Sequence, residues 1–167
     1  MSFASGVGRV ALAAALLSCV GYTLVQAASP QAAQIKPRQD KLRDMGGALK
    51  AITDELKKPK VDWDNVIIPN AQTIKDRSGY LLNWFPKGSG TEAGVKTYAL
   101  PAIWQKPDDF TRIGKAMQAE AIKLDQVANS RNLDALRTEA VSMGKACKAC
   151  HDDYRSKDYE KEQEEDE

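Results

Sequence analysis

Cys147, Cys150 and His151 stand together as C-x-x-C-H near the C-terminal end of the chain. On a helix turning about 100° per residue they fall at about 0°, 300° and 40°, so all three share one face. Two thiols on one face can each add to a vinyl group of a haem, while the imidazole reaches the iron from the same side. The pattern therefore reads as covalent attachment of one haem c through Cys147 and Cys150, with His151 on the metal. A disulfide, half of a zinc site and a redox dithiol draw on the same residue types. A redox dithiol expects a βαβ context, which the sequence lacks, and zinc would need ligands that it does not announce.

The second axial position decides what such a haem could do. His151 is the only histidine, which excludes a bis-histidine site within one chain. Only 16 residues follow it, none of them Met. Met143 lies on the same helix as His151, so it does not cross easily to the far side. Met117 and Met45 fit apolar core stripes. The sixth position is thus either filled by Met45 or empty. Arg38 falls three after Ile35 and four before Leu42, on the apolar face of its helix. A buried cation there needs a partner, for which a haem propionate is a candidate; the alternative is a side chain that snorkels to the bundle end. Tyr154 shares the stripe of Cys147 and His151, where packing explains it as well as chemistry does.

The chain that must position these residues has 167 residues, with 24 Lys+Arg against 23 Asp+Glu. This near-neutral balance gives no overall field for nucleic acid. An apolar content of 43% supports a core and excludes wholesale disorder. Residues 10–25 carry no charge, Arg9 precedes them, and Val25-Gln26-Ala27 offers small residues for cleavage. Residues 1–27 therefore read as a secretory signal peptide, and the expected location is periplasmic. Uncleaved, the same stretch is just long enough to anchor the chain in a membrane. Residues 28–156 form the expected domain. Residues 157–167, with seven acids and two lysines, read as an acidic tail that is either a frayed helix end or disordered and solvated.

The domain reads as all-α. Ile35, Leu42, Met45, Leu49, Ile52 and Leu56 trace one helical face over 34–57, stopped by Pro59. Gly46-Gly47 inside it costs about 1 kcal/mol per glycine and points to close approach of something bulky, or to a weak spot. A second helix is expected over 64–84, capped by Asp62 or Asp64, with Pro69 starting or kinking it. A breaker-rich connection follows to Pro107, pinned by Ile103 and Trp104. The third helix is expected over 108–129. After the short linker 130–132 the fourth carries Leu133, Leu136, Ala140, Met143 and the C-x-x-C-H motif. Four such helices make an antiparallel up-and-down four-helix bundle with the haem near the C-terminal end of the last one.

Several segments together resemble cytochrome c′, the class II c-type cytochromes. They are Arg38-x-x-x-Leu42-x-x-Met45-Gly46, the loop Gly90-Thr91-Glu92-Ala93-Gly94, Pro101-Ala102-Ile103-Trp104, and Cys147-Lys148-Ala149-Cys150-His151-Asp152-Asp153-Tyr154-Arg155. The resemblance covers residues 34–157. It implies a haem bound through both thiols, His151 as proximal ligand and no sixth ligand. Carried over by position, Arg155 matches the family's proximal-side arginine and Arg38 the arginine associated with a propionate. Leu42 takes the distal position, where low-spin relatives place a ligating Met. Leucine cannot ligate iron, so an open, apolar distal face is implied, with nitric oxide and carbon monoxide as ligands and no substrate turnover. The other reading is a low-spin, six-coordinate electron carrier with Met45 on the iron and an unidentified redox partner. Family members also pair as homodimers through their first two helices.

Overall fold

The computed structural model describes residues 29–165 together with Met1; the rest of the expected leader over 1–27 lies outside the described residues. A single turn, Ala32–Gln34, leads into α1, Ile35–Glu55. Pro37 sits in its first turn, where the missing N–H costs nothing. Along α1 the expected stripe divides: Ile35, Met45 and Ile52 are buried, while Leu42, Leu49 and Leu56 are half-buried. The helix ends before Pro59, because the buried Glu55 carboxylate turns the chain back. One of its oxygens accepts the Asp62 N–H at 2.9 Å and the other pairs with Lys58 at 2.6 Å.

The second segment is three pieces, where the sequence pattern predicts one helix over 64–84. A wide turn, Trp63–Ile67, is capped by the Asp62 side chain, which accepts the Asn65 N–H at 3.0 Å. Then comes α2, Ile68–Ser78, with Pro69 in its first turn. Pro69 has no N–H to offer the Asn65 carbonyl, and the widened turn absorbs that missing bond. The Ser78 hydroxyl donates to the Lys75 carbonyl at 2.8 Å as α2 ends, and a separate turn, Leu81–Trp84, follows.

The long connection is held as expected. The Trp104 indole donates to the carbonyls of Phe85 and Pro86, both at 3.1 Å. It contains a short turn, Thr91–Ala93, closed by Gly94 at φ 71°, and the one-turn helix α3, Ala102–Gln105. Next is α4, Pro107–Ser130, with Asp108 and Asp109 in its first turn. Arg131 reverses the chain in the left-handed region at φ 55°, and Asn132 caps α5, Leu133–Tyr154, by accepting the Ala135 N–H at 3.0 Å.

α1 packs on α2, α2 on α4, α4 on α5, and α5 closes the ring against α1. This is the expected all-α four-helix bundle, and no extended strand occurs among the described residues. Its core is aliphatic, with Ile52, Ile67, Ile74, Leu124, Leu136 and Met143 fully buried. No helix among the described residues is long and apolar enough to cross a membrane.

The acidic tail is helical over its described part. Residues Asp158–Glu165 form a sixth helix, α6. It is joined to α5 by a short break at which the Ser156 N–H donates to the Tyr98 carbonyl at 2.8 Å and the Leu100 N–H to the Tyr154 carbonyl at 3.0 Å.

Candidate haem site

Where α1, the long connection and the C-terminal end of α5 meet, they enclose a cavity of about 500 Å³. From α1 it is lined by Gln39, Leu42, Arg43, Gly46, Gly47 and Lys50. From α5 come Cys150, His151, Tyr154 and Arg155, and from the connection Phe85, Thr97, Tyr98 and Ala99. Ile103, Phe110 and Tyr159 complete the lining. The volume lies within the range of small-molecule and cofactor sites.

Two features keep this space open. A Cβ added at Gly46 or Gly47 would meet nothing within 4 Å, so the glycine pair thins the α1 wall. On the other side, the rings of Phe85, Phe110 and Tyr154 meet edge to face with centroids 5.1 Å apart, which fixes an apolar floor. The Tyr154 hydroxyl donates to Asp109 at 2.7 Å and ties the end of α5 to the start of α4. Burial, and then the Asp109 carboxylate, push the Tyr154 phenol up to about 12, so it stays protonated.

The chemistry of the motif fits a haem. Cys147 and Cys150 are free, not disulfide-bonded. Burial raises both thiols, that of Cys150 to about 11. A redox dithiol needs the opposite shift toward thiolate. Burial, with the Arg155 charge second, pushes the His151 imidazole down to about 4, so its lone pair is free at neutral pH. No cluster of three or more His, Cys, Asp or Glu side chains suited to a metal ion occurs among the described residues. The Arg155 Nε is buried with no hydrogen-bond partner at the cavity edge. An apolar cleft with one neutral imidazole, one protonated thiol in its lining and a second one turn away, a thinned wall and an orphaned cationic donor matches what a haem and its propionates require.

Not every expected residue reaches the cavity. Cys147 does not line it, but packs half-buried at the edge of the bundle core, one turn before Cys150. Met45 does not line it either: it is buried with Ala48, Ile52 and Met117 in the core. Arg38 is not among the residues that line the cavity. Its guanidinium is buried, yet both terminal nitrogens are taken by protein acceptors. One donates to Ser89 Oγ at 2.9 Å and the Trp84 carbonyl at 3.3 Å, the other to the Ser89 carbonyl at 3.0 Å and Thr97 Oγ1 at 2.9 Å. The Phe85 ring lies 4.6 Å away. Arg38 neither snorkels nor borders the cavity; it clamps the connection, and through Thr97 one of the cavity walls. Burial lowers it to about 10, so it remains a cation at neutral pH. Sequence reasoning missed Thr97, Tyr98 and Tyr159, which sit on irregular or terminal segments without periodicity. Leu42, Tyr154 and Arg155 do line the cavity, as expected.

A protein-family profile described as Cytochrome C′ matches residues 33–155. Cytochrome c-554 of Cereibacter sphaeroides is 43% identical over 74 residues, which is 44% of this chain and 48% of that protein. The chain thus spans about half the length of that relative. Cytochrome c′ of Alcaligenes xylosoxydans xylosoxydans is 35% identical over 133 residues, 79% of this chain and 99% of that one. A solved ferrous variant of the Alcaligenes xylosoxidans protein with bound nitric oxide superposes with a TM-score of 0.66 at 29% identity, covering 74% of this chain and 94% of that one.

Proposed function

This chain belongs to the cytochrome c′ family, whose members carry one covalently attached c-type haem, and on that footing we propose that it is a periplasmic protein that binds nitric oxide and carbon monoxide without turning over a substrate. The observation that carries the reading is the lining of the cavity. It contains His151 and Leu42 but no methionine, while Met45 is committed to the core.

A bound haem supplies an iron able to take small diatomic ligands and to exchange single electrons. The residues of the chain do the rest. Cys147 and Cys150 tether the group on α5, one helical turn apart. His151, kept neutral by burial, offers its lone pair to the metal. Leu42 covers the α1 side with hydrocarbon. It gives an incoming gas no hydrogen-bond donor and must move aside to admit it. Polar stabilisation of oxygen is therefore weak, whereas nitric oxide and carbon monoxide depend less on it. Phe85, Phe110 and Tyr154 exclude water from the floor. Arg155 presents its unpartnered Nε–H to the carboxylates of the group or to a ligand on the His151 side. The nitric oxide bound in the Alcaligenes xylosoxidans variant supports the choice of gas.

Leu42 variants of the haem-loaded protein test this reading. Leu42→Ala should tighten carbon monoxide binding by about tenfold, the order expected for removing a steric cost of about 1.4 kcal/mol. Leu42→Met should instead produce a six-coordinate, low-spin spectrum that resists carbon monoxide. Unchanged affinity in Leu42→Ala would contradict the role of Leu42 as a lid.

A further inference from the structure

We propose that α6 is a latch on the His151 side of the cavity, in which Glu160, Tyr159 and Glu162 are positioning residues that hold Arg155 in place and slow ligands approaching from that side. This rests on the gas-binding reading above. The family match ends at residue 155 and α6 begins at Asp158, so the latch is an addition to the matched domain.

Its contacts converge on the cavity. Arg155 pairs with Glu160 at 2.6 Å, and its guanidinium carbon lies 4.4 Å above the Tyr159 ring. Tyr159 meets Tyr98 edge to face at 5.2 Å, and all three of Arg155, Tyr159 and Tyr98 line the cavity. A second anchor lies one turn further on, where Glu162 accepts from the Tyr98 hydroxyl and pairs with Lys96. The α6 segment therefore closes from α5 across to the long connection and covers the edge at which the Arg155 Nε is left without a partner.

The construction also allows opening. Apart from Tyr159, the described side chains of α6 are charged, so little apolar surface holds it down. Its anchors are partly exposed ion pairs, weak singly and screened by salt. Local opening of such a segment is cheap compared with unfolding of the bundle. Opening would free Arg155 from Glu160 and uncover the α5 wall without disturbing Leu42 on α1.

The test uses the full-length, haem-loaded protein and the Glu160→Gln/Glu162→Gln pair, which leaves the bundle core untouched, with Tyr159→Ala as a second variant. Hydrogen exchange at the Ser156 and Leu100 amides should quicken by about fivefold in either variant. Raising salt should quicken it in the parent and little in the charge variant. Nitric oxide that took the His151 side in place of the imidazole would pass α6 and not Leu42, so its slow optical phase should quicken by about fivefold. In the Glu160→Gln/Glu162→Gln pair, neither member of which lines the cavity, carbon monoxide association, set by Leu42, should stay within about twofold of the parent. Unchanged exchange, or equal acceleration of both gases, would overturn the latch. If the parent binds neither gas, the functional proposal fails, and the exchange and salt measurements still decide whether the latch exists.

Discussion

Arg38 and Ser89, 51 residues apart, are joined twice: the guanidinium donates to the Ser89 hydroxyl at 2.9 Å and to its carbonyl at 3.0 Å. Both residues are buried, so the first helix and the long connection share one cation with no access to water. Leu42, one turn along α1, and Thr97, a further acceptor of Arg38, both line the cavity. The clamp therefore fixes one wall of the site relative to another.

Arg38→Ala should cost about 3 kcal/mol of stability, because it strands several buried acceptors and leaves a void. A lower denaturant midpoint with an unchanged m-value would show this. The same substitution should also loosen the cavity wall at Thr97. A loss below about 1 kcal/mol would mean that the connection holds without the clamp.

Glu139 on α5 faces Glu120 on α4 across the bundle. One of its carboxyl oxygens is buried without a partner. Burial, and then Glu120, raise the Glu139 carboxyl above its usual range, whereas Lys123 holds Glu120 below its own. A carboxyl raised in the folded state contributes stability below its unfolded value and loses it as pH rises through the folded value. Glu139→Gln keeps the shape, removes the titration and lets an amide donate to Glu120. It should stabilise the bundle by about 1 kcal/mol at pH 8 and by less at pH 4. Thermal unfolding at the two pH values checks this, and an equal gain at both would contradict a raised Glu139 carboxyl.

Gly46 and Gly47 should report on the occupant of the cavity. Alanine at either position meets no protein atom within 4 Å, so helix propensity alone should stabilise the chain lacking haem by about 0.5–1 kcal/mol. In the haem-loaded protein that gain should shrink or reverse. Equal gains in both forms would show that the glycines leave unused space.

The bundle was legible because its signals are local. Apolar residues three and four apart mark the helices, Asp62 and Asn132 cap as their types suggest, and C-x-x-C-H announces its own chemistry. What escaped prediction depends on distant partners. Arg38 reads as buried from periodicity, but the Ser89 and Thr97 atoms that satisfy it arrive on an irregular connection. The start of α2 at Pro69 was legible, but its end at Ser78 was not, because the pattern of apolar spacing runs straight through to Trp84. In the tail, a run of acids signals solvation. Only the folded chain shows Tyr98, Lys96 and Arg155 waiting for Glu162 and Glu160.

Gas binding of the proposed kind needs an iron held by His151 and faced by Leu42, with no second protein ligand. The optical spectrum of the matured, reduced protein before and after carbon monoxide tests it most directly. A five-coordinate spectrum that shifts fully on adding the gas is expected. A six-coordinate, low-spin spectrum unmoved by carbon monoxide would contradict it.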